Sequence, residues 1–204
     1  MIKFKNMKNN GKSFIISLLI ILIILGSIVY IYKNNKLKIG KQTYSDDYIS
    51  FEYPSNIKLD KTNNIIILSH SVPYTHPNPC DFKGDAPPLD KLTDFNVSIE
   101  VVNRSPKDYL ENDSWPGWDF VSKNPFQFGY FSGYKVTPGV EGCGQDMYYL
   151  TISPNKTLII IRPLISEFNT TNEEYQKLLD LPDIINSNKA DLLFTEILSS
   201  IKVK

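Results

Sequence analysis

Residues 95–102, FNVSIEVV, show the most regular alternation in the chain. Apolar side chains recur at every second position, at Phe95, Val97, Ile99 and Val101. A period of two that includes β-branched residues is typical of a β-strand that buries one of its faces. The stretch therefore predicts a strand around which a sheet is assembled.

Shorter strands are predicted on either side of this stretch. The segment at 72–90 contains five prolines and a glycine, which forbid regular structure and predict a long loop. Further along the chain, residues 153–156 form a turn between two apolar runs and predict a hairpin. Strands are predicted at 45–54, 57–59, 65–68, 133–138, 147–152 and 157–161.

Helices are predicted in the middle and at the end of the chain. Ser105 is a typical N-cap residue, and proline, here Pro106, is common at the first position of a helix, so a short helix is predicted to start there. The pattern from Thr171 to Glu174, Thr-Asn-Glu-Glu, is a capping box that starts a second helix. A final helix is predicted to pack on the sheet through an apolar stripe. The stripe consists of Leu193, Phe194, Ile197, Leu198 and Ile201.

The two ends of this region resemble a known family. Residues 44–59 read YSDDYISFEYPSNIKL, and residues 194–204 read FTEILSSIKVK. Hairpins followed by helices already predict an α+β domain with an antiparallel sheet. The Phe-x-Tyr-Pro strand end and the terminal helix resemble the PsbP-like fold, named for an extrinsic subunit of photosystem II, and a group of membrane-anchored bacterial proteins. The resemblance implies an α/β/α sandwich and a binding or assembly role rather than catalysis.

Residues 14–32, FIISLLIILIILGSIVYIY, contain no charged side chain. As a helix they would span roughly 28 Å, close to the ~30 Å hydrocarbon core of a bilayer. The alternative is a cleaved signal peptide, but its apolar region is shorter and ends at a small-residue cleavage site. The stretch therefore predicts one transmembrane helix, an uncleaved single-pass signal anchor. Four lysines lie on each side of it, so the positive charges do not decide its orientation.

The anchor divides the chain into a basic tail at 1–13, a linker at 33–44 and a folded domain at 45–204. We expect the tail to be cytoplasmic and the domain to lie outside the cytoplasm at the cell membrane. After residue 41 the chain carries 14 of its 22 basic residues and all 22 acidic ones, a formal charge of −8. Nucleic acid is therefore not an expected partner, because its binding depends on basic contacts to phosphate. The expected partners are the membrane and an envelope protein.

Cys80 and Cys143 are the two cysteines, and both lie in the predicted outer domain. An even number of cysteines outside the cytoplasm favours a disulfide. Closing the loop between them would stabilise the fold by about 4 kcal/mol through the entropy of the unfolded chain. Two unpaired thiols or a metal site are the alternatives.

The metal alternative depends on His70, His76 and Asp81, which lie near Cys80 in the sequence. Histidine, cysteine and carboxylate side chains are ligands that zinc and copper prefer. Their spacing matches no compact metal motif, and loop histidines that pack on proline explain the pattern as well. A metal-binding or metal-delivery domain is therefore an alternative function.

Aromatic residues are concentrated between residues 115 and 134. Trp115, Trp118, Tyr130 and Tyr134 are candidates for a stacking surface that binds carbohydrate or peptide. The same rings would alternatively cover an edge of the sheet as part of the core. The surface is a second alternative function, a cell-envelope carbohydrate or peptide binder.

Signatures of common enzymes are missing from the sequence. It contains no G-x-S-x-G, no H-E-x-x-H and no P-loop. No catalytic residue and no cofactor is therefore predicted, and we do not expect an enzyme. The sequence favours a membrane-anchored, extracytoplasmic binding or assembly module.

Overall fold

The computed structural model describes residues 40–112, 123–140, 143–168 and 171–204. Residues 41–204 form one compact unit. Within the described ranges, no helix has the length and apolar character that crossing a membrane requires. The predicted tail at 1–13 and the predicted transmembrane helix at 14–32 lie outside these ranges.

The described residues form strands and helices that are numbered here in chain order. The helices are α1 (Pro106–Asn112), α2 (Asn172–Leu179) and α3 (Ser187–Ser200), with a short 3-10 helix at Ser166–Phe168. The strands are β1 (Lys41–Ser45), β2 (Ile49–Pro54), β3 (Lys58–Thr62), β4 (Ile65–His76), β5 (Leu89–Val102), β6 (Lys123–Phe128), β7 (Phe131–Val136), β8 (Gly139–Val140), β9 (Cys143–Ser153), β10 (Lys156–Pro163) and β11 (Lys202–Val203).

The strands form a large antiparallel sheet and a small one. The large sheet has the order β3-β4-β5-β10-β9-β7-β6, and β8 pairs with the beginning of β9. The small sheet has the order β1-β2-β11, so the chain returns at its end to the strand near its beginning. The predicted α+β class with an antiparallel sheet is confirmed.

Strand β5 lies inside the large sheet, between β4 and β10, as its alternating pattern predicts. Phe95, Val97 and Ile99 are each about 1% exposed and form part of the main core. Burying a side chain of this kind stabilises the fold by roughly 1.5–3 kcal/mol relative to leaving it in water. The alternation therefore contributes directly to the stability of the sheet.

The main core lies between one face of the large sheet and a layer made by α3 and β2. The predicted stripe of α3 is buried there, together with Ile49 and Phe51 of β2. The opposite face is covered by α1, whose Leu110 packs against Tyr149 and Ile159. Helices thus contact both faces of the sheet.

The predicted helix starts are confirmed by their hydrogen bonds. The hydroxyl of Ser105 accepts a hydrogen bond from the backbone N–H of Asp108 at 3.1 Å, and the hydroxyl of Thr171 accepts one from Glu174 at 3.4 Å. Each bond satisfies one of the N–H groups that have no partner within the helix. The final helix ends at Ser200 and is followed by β11, which the sequence pattern did not predict.

The first predicted strand, at 45–54, is wrong at its beginning. The chain forms β1 at Lys41–Ser45, turns, and returns as β2 at Ile49–Pro54. The carboxylate of Asp46 accepts hydrogen bonds from the next backbone N–H groups and thereby stabilises the turn. The predicted linker at 33–44 therefore overlaps a strand, and the folded domain begins by Lys41.

The predicted loop at 72–90 is too long at both ends, because β4 continues to His76 and β5 starts at Leu89. Beyond Ser69, β4 pairs only with β5, since the β3 pairing ends there. Proline is tolerated in an edge strand, where its missing N–H costs no ladder hydrogen bond. Pro73 therefore does not interrupt the strand.

Candidate binding pocket

The predicted disulfide is confirmed between Cys80 and Cys143, whose Cα atoms lie 5.6 Å apart. It ties the remaining proline-rich loop to the beginning of β9. The Cys80 side of the bridge is exposed, and the hydroxyl of Ser166 lies 3.6 Å from its sulfur. Both cysteines are consumed by this bond, so neither is free to act as a thiolate ligand or nucleophile.

His70 lies in strand β4 rather than in a surface loop, and it is paired with the buried Asp94. Its Nδ1 lies 2.7 Å from a carboxylate oxygen of Asp94, and the other oxygen accepts the backbone N–H of Ile185 at 2.7 Å. Asp94 is 0% exposed. It lies at a β-bulge where the register of β4 and β5 shifts, and both Asp94 and the following Phe95 are therefore buried.

His76 is also buried, at the end of β4. Its Nδ1 lies 2.8 Å from the carbonyl oxygen of Pro77, and its Nε2 lies 3.2 Å from that of Lys91. The ring stacks on Tyr74 with centroids 5.5 Å apart. These contacts fix the point where the chain leaves the sheet and enters the proline-rich loop.

The three predicted metal ligands do not converge. His70 and His76 have the separate partners given above, and Asp81 accepts hydrogen bonds from the backbone of Lys83 and Ala86 in its own loop. In the part of the chain that the structure describes, no three His, Cys, Asp or Glu side chains form a group that could hold a metal ion.

The predicted aromatic surface is only partly described. Trp115 and Trp118 lie outside the described ranges. Tyr130 is 69% exposed in the turn between β6 and β7, and its hydroxyl donates to the carbonyl oxygen of Ile201 at 2.5 Å. Tyr134 packs against the cluster that α1 covers, on the opposite face of the sheet. The two tyrosines therefore belong to different surfaces.

A polar cavity of about 280 Å³ lies where the β1–β2 turn approaches the β3–β4 hairpin and the end of β5. We call it the turn pocket. Its walls are polar side chains from the two turns and from β3, and apolar side chains of β4 and β5 also line it. The lining residues are Asp46, Asp47, Tyr48, Lys61, Asn64, Ile66 and Val101.

Asp46 organises one wall of the turn pocket. One carboxylate oxygen accepts the backbone N–H groups of Tyr48 and Ile49 at 2.9 Å, and the other accepts the hydroxyl of Tyr44 at 2.8 Å. Burial alone would raise the pKa of Asp46, but these hydrogen bonds and the nearby Lys61 lower it overall. Asp46 is therefore an ionised structural group and is already satisfied by the protein.

Lys61 extends the same network from β3. Its ammonium donates to the hydroxyl of Tyr44 at 2.9 Å and lies 3.8 Å from Asp46. The hydrogen bond to Tyr44 raises the pKa of Lys61, and burial raises the pKa of the Tyr44 hydroxyl. At neutral pH the lysine is thus charged and the tyrosine neutral, which fixes one cation in the pocket wall.

The remaining polar groups of the turn pocket are available to a ligand. Among the described residues, the exposed side chains of Asp47 and Asn64 have no hydrogen-bond partner. Tyr48 is 43% exposed, and the ammonium of Lys156 lies 4.6 Å from its ring centroid. The pocket therefore presents a carboxylate, an amide and an aromatic ring whose position is fixed by its neighbours.

The sequence pattern does not predict this pocket, because it indicates one continuous strand at residues 45–54. The pair Asp46-Asp47 nevertheless indicates a turn within this stretch. Aspartate favours turns because its carboxylate accepts hydrogen bonds from the backbone N–H groups that follow it. The approach of the β3–β4 turn could not be inferred in the same way, because it depends on how the two sheets pack.

No protein-family model matches this chain, and no curated protein matches it in sequence. Among solved structures, it is similar to a Bacteroides thetaiotaomicron protein with 13% identity and a TM-score of 0.41, over 81% of this chain and 49% of that one. It is also similar to cyanobacterial PsbP (CyanoP) from Synechocystis sp. PCC 6803, with 14% identity and a TM-score of 0.35, over 83% of this chain and 96% of that one. This chain spans about half the length of the Bacteroides protein. A PsbP protein is therefore among its structural neighbours, and the likeness concerns the fold alone.

Proposed function

We propose that this chain is a binding module without catalytic activity, displayed outside the cytoplasm by a membrane anchor at residues 14–32. The turn pocket is the observation that carries the proposal. It combines a concave shape with two polar side chains, Asp47 and Asn64, that have no hydrogen-bond partner among the described residues, and convergent polar groups of this kind orient a ligand in small-molecule sites.

The chemistry of the pocket supports binding rather than catalysis. Its acidic group with a lowered pKa, Asp46, is used to stabilise a turn. The histidines, which are the commonest general acids and bases, do not line the pocket and make structural contacts elsewhere. Both cysteines are bridged. The groups left for a ligand are suited to recognition through hydrogen bonds and ring contact.

The disulfide supports a location outside the cytoplasm, because such bonds persist in oxidising compartments and are rare in reducing ones. It also agrees with an apolar anchor at residues 14–32 and an acidic outer domain. In this arrangement the module is held at the membrane surface, where an envelope protein is the partner expected for assembly.

The binding proposal is tested by thermal shift of the full chain in a detergent without a sugar head group. The compounds are glucose, N-acetylglucosamine, lysine, spermidine and inorganic phosphate at millimolar concentration. We expect at least one of them to raise the Tm of the wild type and of Asp85→Ala, but not of Asp47→Ala. Asp85 is an exposed acid of the proline-rich loop, so it is a charge-matched control.

NMR of the same mixtures should recover the bound compound unchanged, whereas conversion would contradict a role without catalysis. If none of the five compounds shifts the Tm, the turn pocket is not a binding site for these ligand classes, and the proposal fails.

The location is tested separately by the redox state of the cysteines. We expect the full chain taken from cells to run as a disulfide-bonded form on a non-reducing gel after alkylation. A chain that lacks residues 1–39 should remain in the cytoplasm with both thiols reduced. A fully reduced full-length chain would contradict the proposed location.

A further inference from the structure

We infer that the ligand of the turn pocket is a neutral polyhydroxylated compound, a single sugar ring. The inference rests on the proposed function and names the chemical class that the same site would take. It follows from three properties of the pocket: its mixture of hydrogen-bond donors and acceptors, the charges of its lining, and its volume.

The polar side chains that line the pocket beside Asp46 are a mixture of donors and acceptors. The carboxylate of Asp47 only accepts hydrogen bonds, the ammonium of Lys61 only donates them, and the amide of Asn64 does both. All three side chains line the same cavity. A hydroxyl group both donates and accepts hydrogen bonds. Neighbouring hydroxyl groups on one ring can therefore bond to all three side chains while the ring keeps a single orientation. An ammonium ion only donates hydrogen bonds, and a phosphate ion presents mostly acceptor oxygens.

The charges of the pocket disfavour an ionic ligand of either sign. Asp46 and Lys61 form an ion pair at 3.8 Å, and Asp47 adds a second carboxylate to the lining. The ammonium of Lys156 lies outside the lining, 4.6 Å from the ring centroid of Tyr48. An anion would meet both carboxylates, and a cation would meet Lys61 in the lining and Lys156 beside it. A neutral ligand avoids this repulsion and still gains hydrogen bonds to charged groups, which are stronger than those between neutral groups.

The shape of the pocket suits a ring of moderate size. A volume of about 280 Å³ is just below the ~300–1,000 Å³ that is common for sites of drug-sized molecules, so the ligand must be small. Ile66 and Val101 supply apolar lining, and the partly exposed ring of Tyr48 forms one side. The C–H faces of a sugar ring can pack against such groups while its hydroxyls reach the polar wall.

The test is titration of the full chain with glucose, N-acetylglucosamine, spermidine and inorganic phosphate, followed by saturation-transfer NMR. We expect a sugar to bind with an affinity that does not change with salt, because no ionic attraction is screened. Asp47→Ala should weaken binding by at least about tenfold, the effect of losing a hydrogen bond to a charged group. Asn64→Ala should weaken it as well, and Asp85→Ala should leave it unchanged.

The outcomes separate this inference from the proposed function. Salt-sensitive binding of spermidine or phosphate at Asp47, without sugar binding, would overturn the sugar assignment and leave the binding module intact. Sugar binding that is the same in Asp47→Ala and Asn64→Ala would place the sugar elsewhere and overturn the inference. The absence of binding by all four probes would overturn both. Asp47 and Asn64 are exposed, so their replacement does not disturb the core.

Discussion

Replacing Asp94 with alanine should be among the most destabilising single changes in this domain. The carboxylate is 0% exposed and accepts two hydrogen bonds of 2.7 Å, from His70 and from the backbone of Ile185. A hydrogen bond to a charged group contributes about 1.5–3 kcal/mol, and the change leaves two donors without an acceptor. We therefore expect a loss of about 3–5 kcal/mol in the free energy of unfolding.

The matched variants are Asp94→Asn and Asp90→Ala. The asparagine keeps an oxygen for the N–H of Ile185 but loses the charge, so we expect about half of the loss. Asp90 is exposed on the same strand, and its replacement should change the free energy of unfolding by no more than about 0.5 kcal/mol.

Urea denaturation with the disulfide intact measures these differences, and hydrogen exchange of the Ile185 amide reports the lost bond directly. We expect that amide to exchange faster in Asp94→Ala than in Asp90→Ala. If the two variants unfold at the same urea concentration, with equal protection at Ile185, the hydrogen bonds of Asp94 do not stabilise the domain, and the reasoning is refuted.

Three further predictions concern the disulfide, the sheet and the turn. Replacing Cys80 and Cys143 with serine should lower the free energy of unfolding by about 4 kcal/mol, since the unfolded chain regains the entropy of an open loop; calorimetry would contradict this if the Tm did not fall. Gly133→Ala should lower the free energy of unfolding by about 3 kcal/mol or more, because the Cβ of the alanine would lie 1.9 Å from the carbonyl oxygen of Tyr149. An unchanged urea midpoint would rule out this close approach. The pKa of Asp46 is lowered in the folded state, so its contribution to stability is present above the unfolded pKa and is lost as the pH falls through the folded one. As the pH falls below about 4, Asp46→Asn should therefore show a shallower loss of stability than the wild type, and equal slopes in an acid titration would contradict this sign.

The elements that the sequence predicts well are those with a strong local pattern. The alternation at 95–102 and the apolar stripe of α3 both appear as buried faces, because periodicity reports directly which side of an element leaves water. The disulfide was predictable for a different reason, since two cysteines in one compartment have only one possible pairing.

The features that the sequence pattern does not predict depend on contacts between distant parts of the chain. Asp94 resembles a solvent-exposed acid in the sequence, and it is buried only because the backbone of Ile185 and the ring of His70 supply donors. Pro73 indicates a loop, but the strand continues past it because that part of β4 is an edge. The turn pocket was missed for the same reason, as it requires two turns that approach each other only in the folded domain.

The return of the chain to β2 at its very end has a consequence for the order of folding. Ser50 pairs with Lys202, and Glu52 bonds to Ser200, so the layer over the main core joins residues separated by about three quarters of the chain. Contacts of such high sequence separation form slowly, because a long loop must close before they are made. During synthesis the apolar face of β2 therefore stays without its partners until the segment that contains α3 and β11 has been made.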